Sequence, residues 1–151
     1  MEGLILMFAW VGVFAPMALG AIGSAIGCTR AGQAACGAML ETESGYGKYI
    51  GVSAMPSSQT IYGIVITLTL SRVVSNPASA VGVFGIGLLA GLVQMLSAVY
   101  QGYCCASSIN VSKDKPEVFG ISLAPAAMAE GFAVFALVFA LILIGMLPGG
   151  A

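Results

Sequence analysis

The chain reads as an all-α membrane protein of four transmembrane helices, arranged as two tandem helical hairpins. Three observations predict this. Of its 151 residues 59% are hydrophobic and 7% charged, against roughly 25% charged in soluble proteins, and the mean hydropathy is +1.02. Four apolar runs each reach the roughly 20 residues that a bilayer crossing requires. The beginning of the first half also recurs in the second, as set out below.

The first run covers residues 4 to about 29 and is rich in small residues. Gly23 and Gly27 form a Gly-xxx-Gly pair, a spacing that lets another backbone come close. Arg30 interrupts the run, but the following residues still read as helix to about residue 40. Residues 41–47 form the first polar loop. The second run, about 48–74, contains Pro56, which removes a backbone donor and loosens the helix over about residues 51–55. Irregular backbone of this kind is tolerated at membrane depth only where protein or a bound ion satisfies it. A tight turn at 75–78 leads to the third run, about 80–109, which carries Gln94 and Gln101. Residues 110–117 form the second polar loop, and the fourth run extends from about 119 to 147.

The length suits one domain, 1–151. Val11-Gly-Val-Phe14 recurs as Val81-Gly-Val-Phe84, and the same offset pairs Gly32 with Gly102. The halves are therefore read as hairpin repeats 1–76 and 77–151. Aligning Pro56 with Pro125 pairs Glu130 with Ile61; aligning Tyr62 with Phe135 pairs it with Ser57. On either alignment the first hairpin lacks the acid.

Lys48, Lys113, Lys115 and Arg30 flank the 1–2 and 3–4 loops, whereas Arg72 alone flanks the 2–3 turn. The positive-inside rule then puts those two loops in the cytoplasm and both termini outside, as expected of a multi-pass cell-membrane protein. No basic segment precedes the first run, so a cleaved signal peptide is not expected. Five basic residues against six acidic ones give no reason to expect a nucleic-acid partner. The absence of histidine removes the usual metal ligand and general base. Cys28, Cys36, Cys104 and Cys105 show no zinc-like spacing and read as small buried apolar residues.

Glu130 stands in the middle of the fourth run. A charge at such depth costs at least ~2.5–3.5 kcal/mol, which marks an intramembrane acid as a functional site. Counting from Lys48, Lys113 and Lys115 at about 1.5 Å per residue, Gln59, Gln101 and Glu130 lie roughly 16, 18 and 22 Å from the loop side. All three fall near mid-membrane, where Ser58 and Tyr62 join them. One carboxylate, two carboxamides and a hydroxyl at one level can form a hydrogen-bonded structural knot. They are also hard oxygen donors that suit Na⁺, and an amide beside Glu130 can equally stabilise its protonated form.

Several stretches carry a resemblance: Gly23-Ser-Ala, Pro56-Ser-Ser-Gln-Thr-Ile-Tyr-Gly63, Ser97-Ala-Val-Tyr-Gln-Gly102, Lys115-Pro-Glu117 and Ala126-Ala-Met-Ala-Glu130. Through them the chain resembles the proteolipid (K, or c-type) rotor subunits of V-type and A-type rotary ATPases, and it looks closest to the bacterial sodium-translocating members. The doubled hairpin with one acid separates this type from the short single-hairpin proteolipids.

The resemblance implies a non-catalytic subunit in a homo-oligomeric ring, with the first and third helices as its inner wall. Ring partners would be identical copies, membrane lipid, central-stalk subunits and a stator membrane subunit with an essential arginine. It implies that Glu130 carries the ion, with oxygens from Ser58, Gln59, Gln101 and the Met55 backbone carbonyl completing a Na⁺ site. Tyr62 would hydrogen-bond the carboxylate. Serine at 58 stands where the relatives have threonine, Met55 where leucine is usual, and Ser57 where glycine is common. The alternatives are the same rotor carrying H⁺ alone, or a small four-helix multidrug antiporter. That antiporter family, however, carries its acid in the first helix. A purely structural pore would leave Glu130 and its amides unexplained.

Overall fold

The computed structural model describes residues 2–150. Among them every regular element is helical. The long elements are α1 (Glu2–Glu41), α3 (Ser58–Val73), α4 (Ala80–Asp114) and α6 (Ala124–Gly145); α2 (Tyr46–Ser53) and α5 (Phe119–Ser122) are short. Three helical stretches are long and apolar enough to cross a membrane: Gly3–Glu41, Pro77–Asp114 and Pro116–Gly145.

The expected second crossing is divided. Pro56 has no N–H to continue the α-helical ladder, so α2 ends at Ser53 and a 3₁₀ turn at Met55–Ser57 leads into α3. Neither piece alone has the length of a span. Pro125 acts similarly in the last stretch, where Leu123 separates α5 from α6. The third helix runs further than its apolar pattern suggests, through residues 110–114, because nothing before Pro116 stops it. Asn76 caps the 2–3 turn, accepting from the Ala78 N–H at 3.1 Å.

Lipid tails are as apolar as leucine, so helices in a membrane associate through close packing rather than through hydrophobic expulsion. The glycines meet that need within the chain. An added Cβ on Gly27 would collide with the Ala98 carbonyl oxygen, and one on Gly102 with the Gly27 backbone. Pro16 has no N–H to offer the Gly12 carbonyl, and Gly87 of α4 sits against that oxygen. On the other side of α1, Gly63 of α3 lies against the Pro16 carbonyl. α1 and α4 thus form the central pair, and α3 and α6 pack beside them.

Lys113 pairs with Glu41, bringing the two polar loops to one end. At the other end Asn76 and Ser79 donate to the Pro148 carbonyl at 3.1 and 2.7 Å. One buried apolar cluster, including Ile66, Leu70, Val83 and Ile144, lies towards the Pro148 end. A second, including Tyr49, Cys105, Ile109 and Ala126, lies towards the loop end. A polar layer separates them. All four cysteines are free thiols; Cys105 is buried as expected, but Cys36 is exposed on α1.

Candidate functional site

The layer between the two apolar clusters is built mainly by α3, α4 and α6. Gln59, Gln94 and Gln101 are fully buried, each at 0% exposure, and Glu130 is half-buried. The 3₁₀ turn at Met55–Ser57 delivers Ser58 and Gln59 to this level, and one further turn of α3 delivers Tyr62.

Two donors meet the carboxylate. Gln101 Nε2 donates to Glu130 Oε2 at 3.1 Å, and the Tyr62 hydroxyl donates to Oε1 at 3.0 Å. Gln59 Nε2 donates to Gln101 Oε1 at 2.9 Å and to Ser97 Oγ at 3.1 Å. Ser97 in turn donates to the Ala129 carbonyl at 2.6 Å. A backbone carbonyl can only accept, so this last bond fixes which way every amide in the chain of bonds must face. Gln101 therefore turns its N–H towards Glu130 Oε2, while the Tyr62 hydroxyl stands against Oε1.

At the break in the second helical stretch, three oxygens crowd around one hydrogen. Ser58 Oγ lies 3.2 Å from Gln59 Oε1 and 3.2 Å from the Met55 carbonyl oxygen. The hydroxyl has a single hydrogen and can satisfy only one of them at a time. The Met55 carbonyl also accepts from the Ser58 N–H in the 3₁₀ turn. Ser58 Oγ and Gln59 Oε1 keep spare acceptor capacity, and the Met55 carbonyl gains it when the hydroxyl turns to Gln59, the donor chemistry that a hard cation takes. Among the described residues no group of three or more His, Cys, Asp or Glu gathers that could hold a metal. Any cation at this level must rely on amide, hydroxyl and carbonyl oxygens with one carboxylate.

All six residues singled out from sequence, Met55, Ser58, Gln59, Tyr62, Gln101 and Glu130, lie in or beside this one network. Two contributors were not assigned there. Ser97 bridges Gln59 to α6, and Gln94 Nε2 donates to the Ala133 carbonyl at 3.0 Å. Both precede Gln101 on α4 at helical spacing, which places them on its face; that spacing was the available signal. Thr60 Oγ1 also donates to Ser24 Oγ at 2.8 Å, fastening α3 to α1 at this level. Arg30 is exposed, with its guanidinium 5.4 Å from the Tyr103 ring centroid, outside the network.

The sequence model of the family of ATP synthase C subunits matches the chain twice, over residues 11–70 and 84–143. The chain is similar to the A-type ATP synthase subunit K of Methanocaldococcus jannaschii, with 34% identity over 142 residues. That match covers 91% of this chain and 64% of the relative, so the chain spans under two thirds of that protein's length. It is also similar to the V-type sodium ATPase subunit K of Enterococcus hirae, at 25% identity over 142 residues, covering 92% of this chain and 91% of the relative. Glu130 falls in the second matched repeat.

Proposed function

The chain belongs to the family of ATP synthase C subunits, and on that premise we propose that it is the rotor-ring subunit of a V/A-type ATPase, carrying Na⁺ on Glu130. It is a membrane protein and, like its family, catalyses nothing itself. In the ring, residues 1–76 and 77–151 act as two hairpins. The divided stretch formed by α2, the 3₁₀ turn and α3 makes the second crossing. The loops after α1 and α4 face the cytoplasm, where central-stalk subunits sit on them. The relative named a sodium ATPase subunit supports the ion. The match in both halves leaves no reason to retain the antiporter reading.

One observation carries the sodium reading: the cluster of Ser58 Oγ, Gln59 Oε1 and the Met55 carbonyl, with too few hydrogens for its oxygens. A proton on Glu130 requires none of these oxygens. A Na⁺ ion would take them together with Gln101 Oε1 and the Glu130 carboxylate. Gln101 Nε2 and Tyr62 would keep the carboxylate aimed inward while Met128 and Phe132, 69% and 65% exposed on the same helix, face lipid. At the stator a competing positive charge draws the carboxylate away and the ion leaves into an aqueous path. The test is ATP hydrolysis by the assembled complex at fixed ionic strength. Activation by Na⁺ and not by K⁺ is the expected result; indifference to both would make the rotor proton-driven.

A further inference from the structure

We infer that Ser97 and Gln94 of α4 are positioning residues, which set the polarity of the amide network and the rotational setting of α6 and so tune the ion affinity of Glu130. This rests on the reading of Glu130 as the ion carrier. Neither side chain contacts the carboxylate. Both hold the turn that bears it: Ser97 bonds the Ala129 carbonyl at 2.6 Å and Gln94 bonds the Ala133 carbonyl at 3.0 Å. These carbonyls lie one helical turn apart on one side of α6, with Glu130 between them in sequence, so the two bonds resist rotation of the helix about its axis.

Ser97 has a second effect. Its hydrogen is committed to the Ala129 carbonyl, so its oxygen is left to accept from Gln59 Nε2 at 3.1 Å. That acceptor holds the Gln59 nitrogen on the α4 side and turns Gln59 Oε1 towards Ser58. With the amide reversed, Gln59 would present its nitrogen where the oxygen cluster now lies. Without the serine hydroxyl, Gln59 has one fewer reason to keep its oxygen on the ion side.

Gln94 shows that the donor is what matters at its position. The side chain is fully buried, yet its Oε1 has no hydrogen-bond partner among the described residues. Leaving a buried acceptor unpaired is destabilising, and an apolar residue of similar size would avoid the penalty. Its N–H holding the Ala133 carbonyl is the compensating role.

The test uses rings of the full chain in mild detergent, labelled at Glu130 with a hydrophobic carbodiimide. Two quantities are read: the labelling rate without Na⁺, and the Na⁺ concentration that halves it. In Ser97→Ala that concentration should rise about tenfold, in line with the loss of an ordering hydrogen bond. Ser97→Thr, which keeps the hydroxyl, should recover most of the loss. Gln94→Met, nearly isosteric but lacking the donor, should raise the Na⁺ requirement in a ring of unchanged size, and carries the test if the alanine variant does not assemble. Both variants should also label faster without Na⁺, because the carboxyl is less firmly held. Should wild-type labelling ignore Na⁺, the sodium reading fails, and this Na⁺-free rate alone decides the positioning role. Wild-type values for both quantities in Ser97→Ala and Gln94→Met would overturn the inference.

Discussion

Tyr62 and Glu130, 68 positions apart in the chain, are joined by a 3.0 Å hydrogen bond from the phenol to the carboxylate. The bond ties α3 to α6 at the level of the buried Gln59 and Gln101. Tyr62 is an oriented donor rather than a ligand, because its single hydrogen points at Oε1. Tyr62→Phe removes that donor while keeping the ring in place. A hydrogen bond to a charged group contributes about 1.5–3 kcal/mol, so Na⁺ affinity should fall by about tenfold or more. Isotope binding to purified rings measures this. Unchanged affinity would show that the tyrosine only packs.

Gln101 has two roles, since Nε2 donates to Glu130 while Oε1 faces Gln59. On the proposed reading Gln101→Leu therefore removes both an oxygen ligand and a donor to the carboxylate. Losing a ligand to a desolvated ion should cost more than the ~1.4 kcal/mol that a tenfold change represents. Sodium affinity should drop at least that far, while carbodiimide still labels the protonated carboxyl. An unchanged sodium affinity would remove Gln101 from the site.

Much of this network was legible in the sequence because its members stand out. Glu130, Gln59 and Gln101 are isolated polar residues in apolar runs, and a fixed helical rise per residue is enough to bring them to one depth. The division of the second stretch was legible as a loosening at Pro56, but not as two separate helices. Proline only removes a bond, and how far the chain departs from helix depends on the packing around it. Ser97 was less conspicuous, because serine is common in membrane helices and bonds its own backbone without further consequence. Its role appears only once α6 is placed opposite. The Gly23–Gly27 spacing predicts a close backbone approach without naming the partner, and the structure uses Gly12, Gly27, Gly87 and Gly102 between α1 and α4 of one chain.

That placement sharpens an assembly prediction. A Cβ on Gly27 would meet both the Ala98 carbonyl and the Pro56 side chain, and neither backbone nor proline ring can rotate away. Gly27→Leu should separate α1 from α4 and prevent a closed ring, seen as loss of the large species in native electrophoresis. Gly32→Leu is the control, since nothing lies within 4 Å of an added Cβ there. A normal ring from the Gly27 variant would show that the close approach is dispensable.

The last prediction joins the carboxylate to its ion through pH. On the proposed reading one oxygen pair serves both Na⁺ and H⁺, so the two compete, and sodium should bind less tightly as pH falls. For one-for-one exchange on a protonated carboxyl the apparent sodium affinity weakens by up to about tenfold per pH unit. A hydrophobic carbodiimide, which attacks protonated carboxyl groups from the membrane, reads this directly. At mildly acidic pH it should label Glu130 alone. Glu41, Glu43, Asp114 and Glu117 are exposed at the loop end, and Glu2 lies at the start of the chain. Added Na⁺ should slow the reaction, more Na⁺ being required at each lower pH, while K⁺ at equal ionic strength should leave it unchanged. Labelling at Glu130 that ignores Na⁺ at every pH would favour a rotor that carries protons. Labelling at the loop acids instead would mean that Glu130 is not the carboxyl the membrane presents.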